Sequence, residues 1–500
     1  MTESRASRWL ILLVVSSALF LIVIDMTVLH TALPTLTRDL DASASEKLWI
    51  INAYALVVAG LLPGLGTLGD RMGHKPMFTA GLAVFGLASL VAAYSPSPSV
   101  LIGGRALLAV GAAMMMPATL SIVRLTFSDE RERALAIGVW GAVASGGAAV
   151  GPLIGGALLE YFWWGSVFLI NVPVVVVALA AAVYFIPPGS GNPKIVWDPF
   201  GSLLVLIGLV GLAFAIKELA MESPSLWLAA TSAAIGALAL GIFIRRQRRS
   251  ATPMIDFTLF NNRDFTISVL VALVSSFSVL GLELVLSQRL QLVLGYSPLE
   301  AALLVLPGSL LAFVGGPLAG WLAPRHGVGR VMTGALLLGG TSVVGLLLVV
   351  NAGRGAQIIC LSAFGLGLGA SMAVASHAIM SHAPVERAGM AASLEEVSFE
   401  LGGAIGITVL GSLLAGVYSA TLVLPKGLVL PPSVREGIDQ ALRVAEGLPS
   451  DASRLLMAAV HQAFDVAYLS ALAIDALLLL AIAAAAWWCL PQRSGKGTSP

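Results

Sequence analysis

Gly66-Thr-Leu-Gly-Asp70-Arg71-Met-Gly73-His-Lys75 reappears, 254 positions on, as Gly320-Trp-Leu-Ala-Pro324-Arg325-His-Gly327-Val-Gly329. Gly, Leu, Arg and Gly keep their places in both copies. A second pair, Glu132-Arg133-Ala134 and Glu386-Arg387-Ala388, shows the same shift of 254. Two separate segments that share one offset mark a duplicated chain. The composition says what was duplicated. Of 500 residues, 58% are hydrophobic and only 11% charged, and the mean hydropathy is +0.93. A water-soluble chain carries about 25% charge, so the solvent for most of this one is lipid. That excludes a secreted domain, a cytosolic enzyme and a disordered protein. A net charge of +1 offers no bulk attraction to nucleic acid. Cys360 and Cys489 both sit in apolar runs, so there is no disulfide framework and no metal set.

A spanning helix needs roughly 20 mainly apolar residues. Fourteen runs qualify: 9–33, 48–68, 77–94, 100–121, 135–160, 166–186, 200–220, 226–244, 265–288, 299–321, 331–350, 356–380, 390–416 and 465–489. The first contains Asp25 and has no small-residue cleavage site, so it reads as an uncleaved helix. The 254 shift matches spans 1–6 to spans 9–14 and leaves spans 7 and 8 as an insertion. The expected organisation is an all-α integral membrane protein of 6 + 2 + 6 helices. Its parts are an N-terminal half (1–190), a two-helix insertion with a cytoplasmic linker (191–263) and a C-terminal half (264–500). Most of the 28 Lys and Arg fall in alternate connections, above all Arg245, Arg246, Arg248, Arg249 and Arg263. That bias places both termini in the cytoplasm, with Arg493 and Lys496 on the inner side. Parallel six-span repeats are a transporter plan, with the substrate site between the halves and access alternating as they rock.

Few charges remain within the spans, and they read as mostly acidic: Asp25, Glu283, Glu395, Glu396, Glu400 and Asp475, against Arg105 alone. Intramembrane ionisable residues are costly, so each is a functional candidate. Asp25 in Ile24-Asp25-Met26-Thr27-Val28-Leu29-His30 lies over ~20 Å along its helix, at ~1.5 Å per residue, and must be protonated, paired or in a watery cavity. His30 is expected at the membrane interface. Arg105 opens the span 4 stretch that runs to Met114, Met115 and Pro117, and needs a partner or water. Ala391-Ala-Ser-Leu-Glu395-Glu396-Val-Ser-Phe399-Glu400-Leu-Gly402-Gly403 puts three carboxylates in one span that has no Lys or Arg. Glu396 and Glu400 are four apart and share a face. Ionised, the three repel one another, and a proton or a bound cation relieves that repulsion. Glu283 matches Leu29 at the 254 shift, one turn from Asp25, and is expected to face the same cavity. His377 and Asp475 read as structural.

In the loop between spans 2 and 3, Asp70 is placed to bond a neighbouring helix N-terminus or an Arg, and Arg71 and Lys75 anchor the cytoplasmic side. Pro324 replaces the acid in the second copy, which should lock less strongly. In span 5, Gly147-xxx-Gly151-Pro152-xx-Gly155-Gly156 allows close packing and a bend. The long loop at about 417–464 reads as a periplasmic helical hairpin. Ser433 and Glu436 form its capping box, Val434, Ile438, Leu442 and Ala445 follow at helical spacing, and a second helix starts near Ser450 and runs into span 14.

These loop 2–3, span 1, span 4 and span 5 motifs resemble those of the fourteen-span drug:proton antiporters of the major facilitator superfamily. The span 13 acids before Leu401-Gly402 resemble, more narrowly, the quaternary ammonium and methyl viologen exporters of the QacA and SmvA type. The resemblance implies a major facilitator fold in a bacterial inner membrane and no enzyme activity. It also implies proton-driven export of lipophilic cations such as quaternary ammonium compounds, methyl viologen, dyes and biguanides. Proton coupling or substrate binding is expected of Asp25, Glu395, Glu396, Glu400 and Arg105, and, from the repeat rather than the resemblance, of Glu283. Apolar contact with the substrate is expected of Met114, Met115 and Phe399 from their chemistry, and gating of Asp70, Arg71, Gly147, Gly151 and Pro152. The antiport meaning of the span 5 glycines comes from the resemblance alone. No cofactor or metal is implied beyond the proton gradient, and the partners are the cation, protons and lipid, for a monomer. The resembled exporters carry an acid in span 10, where this chain has only Glu300 at the edge.

Overall fold

A computed structural model describes residues 5–490, apart from 128, 189–190, 194, 220–223, 251–252, 256, 351, 383–387 and 426–429. Glu386, Arg387, Arg493 and Lys496 therefore lie outside the described residues. Among the described residues the chain is helical, without strands. The first group is α1 (Arg5–Asp39), α2 (Ala44–Met72), α3 (His74–Ala93), α4 (Pro98–Thr126), α5 (Glu130–Tyr161) and α6 (Asn171–Phe185). The insertion is α7 (Pro199–Leu219) and α8 (Leu226–Arg249). There follow α9 (Arg263–Gln288), α10 (Pro298–His326), α11 (Val328–Leu348), α12 (Arg354–His382), α13 (Ala388–Thr421), the short α14 (Ile438–Glu446) and α15 (Ser450–Cys489). Among the described residues, thirteen helices are long and apolar enough to cross a membrane. The remaining long helix, α5, has 32 residues and no charge from Ala134 to Leu159, and it completes the fourteen in the expected order of six, two and six.

The repeated loops adopt the same backbone. Gly73 joins α2 to α3 at φ 99°, and Gly327 joins α10 to α11 at φ 89°. Both angles are strained for a residue with a Cβ, which explains why glycine holds both places.

The chain forms two compact units. One comprises residues up to Ala42, Trp49–Val210 and Ile235–Met254. In it α5 packs on α1 through a glycine seam. A Cβ at Gly147 would press on Phe20 and Val23, at Gly151 on the Thr27 hydroxyl, and at Gly155 on Val28. The insertion helix α7 meets α2 at Gly60, opposite Leu206, and at Gly64, opposite Ser202. The other unit comprises Ser43–Leu48, Gly211–Ala234 and everything from Ile255. In it α13 packs on α9 through Gly402, Gly403 and Gly406, the counterpart of the α1–α5 seam. The first turn of α2 is held within this unit. Lys47 pairs with Asp439 of α14 at 2.5 Å, and Lys217 Nζ donates to the Ser45 carbonyl at 2.8 Å.

The long loop does form a short helix followed by a continuous one. α15 has 40 residues, roughly 60 Å at 1.5 Å per residue, about twice the hydrocarbon thickness. The capping box expected at Ser433 and Glu436 is absent. Pro432–Arg435 is a 3-10 turn, Gly437 is extended, and α14 begins at Ile438 without a side-chain cap. Pro431-Pro432 and Gly437 interrupt the helix that the spacing suggested. Val434, Ile438, Ala441 and Ala445 are nonetheless buried. Real capping boxes start α2 at Ser43 with Glu46, and α10 at Ser297 with Glu300.

Candidate functional site

Asp25 is not a solitary carboxylate. It sits mid-helix in α1, 2% exposed, and pairs with Arg105 of α4, itself 1% exposed. Arg105 also donates from Nε to the Ile50 carbonyl at 3.2 Å, and its guanidinium lies 4.5 Å from the Tyr54 ring centroid and 5.9 Å from that of Phe168. Asn171 Nδ2 donates to Asp25 at 3.4 Å and to Ser89 at 3.3 Å. Helices α1, α2, α3, α4 and α6 therefore meet at one buried polar knot. Asp25 and Arg105 neutralise each other there, as a charge so buried requires. Asn171, Ser89 and Tyr54 were missed in the sequence; the only available signal was a polar residue interrupting an apolar run. The glycine seam of α5 lies against residues 20–28 of α1, so Gly151 touches the turn that carries Asp25. His30 is 3% exposed, buried against the other helices of the unit.

The residues of the α2–α3 loop find partners nearby. Asp70 faces His74, the first residue of α3, at 3.6 Å, and its carbonyl accepts the Asn192 amide at 2.9 Å. The Arg71 carbonyl would be struck by a Cβ at Gly191. Lys75 Nζ donates to the carbonyls of Val183 and Ile186 at 2.9 and 2.5 Å, and so caps the end of α6. Met115 is fully buried against Gly81 of α3, so it serves helix packing rather than a cavity; Met114 beside it is part-exposed.

In the second unit the α13 acids have no counter-ion among the described residues. Among the described residues none of Glu395, Glu396 and Glu400 forms an ion pair, and α13 contains no basic residue. Glu395 accepts a hydrogen bond from Ser376 of α12. Glu400 is 5% exposed, and its Oε2 has no hydrogen-bond partner among the described residues. The acids are held against α9, where Ser276 Oγ donates to the Phe399 carbonyl at 2.6 Å. The helices run in step, since Gly402 abuts the Leu273 carbonyl and Gly406 that of Phe277. In that register Glu283 lies about 12 residues beyond the level of Glu400, roughly 18 Å at 1.5 Å per residue. The α13 cluster and Glu283 therefore stand at separate depths of one unit. Asp475 of α15 is fully buried and receives the Ser278 hydroxyl.

The basic side of the account also changes. Lys47, Lys217 and Arg289 are 6%, 4% and 4% exposed. Each lies within a helical stretch, so Arg105 is not alone. Lys47 and Arg289 have carboxylate partners, Asp439 and, at 2.9 Å, Asp465, and Lys217 a carbonyl. Among the described residues the α13 acids have no ion partner.

Comparison with known proteins agrees with this construction. The family model described as Major Facilitator Superfamily matches residues 15–407. The chain is 40% identical over 488 residues to the methyl viologen resistance protein SmvA of Salmonella typhimurium, covering 97% of this chain and 99% of the relative. It is 36% identical over 489 residues to the multidrug efflux pump LfrA of Mycolicibacterium smegmatis, covering 97% and 96%. A solved bacterial homolog of the human lysosomal transporter Spinster, inward-facing and occupied, superposes with a TM-score of 0.68 at 18% identity, covering 99% of this chain and all of that one, a likeness of fold. With the repeat, the fourteen helices and these matches in hand, the chain is a member of the Major Facilitator Superfamily.

Proposed function

We propose that the protein exports lipophilic cations across the bacterial inner membrane in exchange for protons. The observation that carries this reading is the α13 cluster: three carboxylates in one membrane helix, without an ion partner among the described residues, one of them buried with an oxygen unsatisfied. Such a site needs a proton or an organic cation to balance its charge. The relatives support the substrate class, since methyl viologen is a planar organic dication and one relative is named for resistance to it. Quaternary ammonium compounds, cationic dyes and biguanides share that chemistry.

In the proposed cycle Glu395, Glu396 and Glu400, with Glu283 farther along α9, are deprotonated toward the cytoplasm and attract the cation. Met114 and Phe399 contact its apolar part. After access alternates, protons from outside take the carboxylates and expel the cation. Affinity for each must fall when the other binds, because both use one negative charge. Asp25 and Arg105 act as a matched pair that sets the geometry of α1 and α4, and the seam at Gly147, Gly151 and Pro152 holds α5 on that helix. Asp70 and Arg71 gate the inner side. In this reading the protein is a monomer with both termini in the cytoplasm, driven by the proton gradient without a cofactor.

The test is drug-dependent proton release from purified protein in weakly buffered detergent. Methyl viologen or ethidium should release protons from the wild type, and Glu396→Gln with Glu400→Gln should abolish the release. Equal release from wild type and the double variant defeats the assignment of these acids. No release from the wild type with any cation defeats the antiport mechanism.

A further inference from the structure

The arginines at the end of α8 do not all do the same work. Arg246 is committed to Asp198, which it meets through Nε at 3.0 Å and Nη2 at 3.1 Å. Gln247 beside it is 2% exposed; its Nε2 bonds Asp198 at 3.3 Å and its Oε1 accepts the Met254 amide at 2.8 Å. These two residues dock α8 onto the first unit. Arg245 and Arg249 point elsewhere. A helix turns about 100° per residue, so relative to Arg245 the side chain of Arg249 stands at about 40° and that of Arg248 at about −60°. On the same scale Leu238, Ile242 and Ile235 stand at about 20°, 60° and 80°. Those three are 65%, 43% and 57% exposed. The buried residues Gly236, Ala239, Phe243 and Gln247 occupy the opposite side, from about 120° to 200°. One uninterrupted face of α8 is thus apolar for two turns and ends in a pair of exposed guanidiniums one turn apart.

We propose that this face binds an anionic phospholipid, its acyl chain along Ile235, Leu238 and Ile242 and its phosphate between Arg245 and Arg249. The stripe commits the site to a lipid rather than to a free anion, because an inorganic phosphate gains nothing from exposed leucine and isoleucine. The forked guanidinium suits phosphate oxygens. Arg246 neutralises the Asp198 carboxylate. The inference depends only on α8 crossing the bilayer, not on the transported substrate or on proton coupling.

Native mass spectrometry of the full-length protein, titrated with phosphatidylglycerol and with phosphatidylcholine, tests it. Each arginine at an anionic headgroup is worth about fivefold in affinity, so Arg245→Gln/Arg249→Gln should weaken phosphatidylglycerol by about 30-fold and leave phosphatidylcholine unchanged. Arg325→Gln/Arg330→Gln removes as much charge elsewhere and should change neither. Arg245→Lys/Arg249→Lys keeps the charge that orients the chain and should lose less than about fivefold in phosphatidylglycerol affinity. An unchanged phosphatidylglycerol affinity in the glutamine variant, or an equal fall for both lipids, overturns the site. Inorganic phosphate that displaces phosphatidylglycerol at millimolar concentration shows a free-anion site instead and overturns the lipid assignment.

Discussion

Replacing Arg105 with methionine should expose the energetics of the polar knot. The variant keeps a long side chain in α4 but removes the partner of Asp25, the bond to the Ile50 carbonyl and the contact with the Tyr54 ring. Asp25, 2% exposed, is left with the Asn171 amide at 3.4 Å. Breaking a buried pair from one side costs about 3–5 kcal/mol. At roughly 1 °C per kcal/mol for a chain of 500 residues, thermal unfolding in detergent should begin about 3–5 °C lower. Asp25→Asn leaves the arginine charged, but the Ile50 carbonyl and two aromatic rings still solvate it, so its loss should be smaller. The double variant Asp25→Asn/Arg105→Met removes both charges and should return to within about 1 kcal/mol of wild type. The decisive quantity is the coupling energy of the cycle, the two single losses less that of the double variant, expected to be about 2–4 kcal/mol plus the loss of Asp25→Asn. Additive effects of the two substitutions would mean that Asp25 and Arg105 are not a pair in solution, and the account of this site would fail.

Three further outcomes follow from individual contacts. Gly151→Ala places a Cβ on the Thr27 hydroxyl, whereas Gly146, five residues earlier, has nothing within 4 Å; melting should register a loss of about 1–3 kcal/mol for Gly151→Ala and little for Gly146→Ala. Lys47 and Asp439 are 8% and 10% exposed in their side chains, so Lys47→Ala and Asp439→Ala should destabilise alike, and the exchange Lys47→Asp/Asp439→Lys should recover part of the loss in a melting assay. Burial works against the charge of Asp198, but Arg246, the Gly201 amide and Gln247 outweigh it and hold the carboxyl below the usual range. The tie from α8 is therefore complete above the ordinary carboxylate value of about 3.9 and is lost as the pH falls through the lowered one. Acid melting profiles of wild type and Asp198→Asn should converge only below that value.

Much of the fold could be read because its causes are local. Apolar runs of spanning length identify lipid as the solvent, and Gly73 and Gly327 hold the same place in both repeats because each takes a backbone angle that disfavours any other residue. The span 5 glycines signalled a close seam before its partner was known. The errors are equally local. Ser433 and Glu436 have capping-box spacing, but Gly437 and the two prolines redirect the backbone. Met115 stands beside Met114 in sequence, yet one is fully buried and the other part-exposed.

The sequence by itself determined that this is a duplicated, fourteen-span membrane protein with unusual charge inside the lipid. Hydropathy, helical period and repeat offset depend only on neighbours along the chain. Which of those charges are spoken for was decided by the tertiary structure alone. Asp25 and Arg105 lie 80 residues apart, Lys47 and Asp439 392 apart, and Arg289 and Asp465 176 apart; no spacing rule reaches across such distances. Packing brings these opposite charges together and leaves Glu395, Glu396 and Glu400 without an ion partner among the described residues. A buried charge is costly until it is matched; Glu283 and Asp475 also lack an ion partner among the described residues, and α13 is set apart because three such acids share one helix.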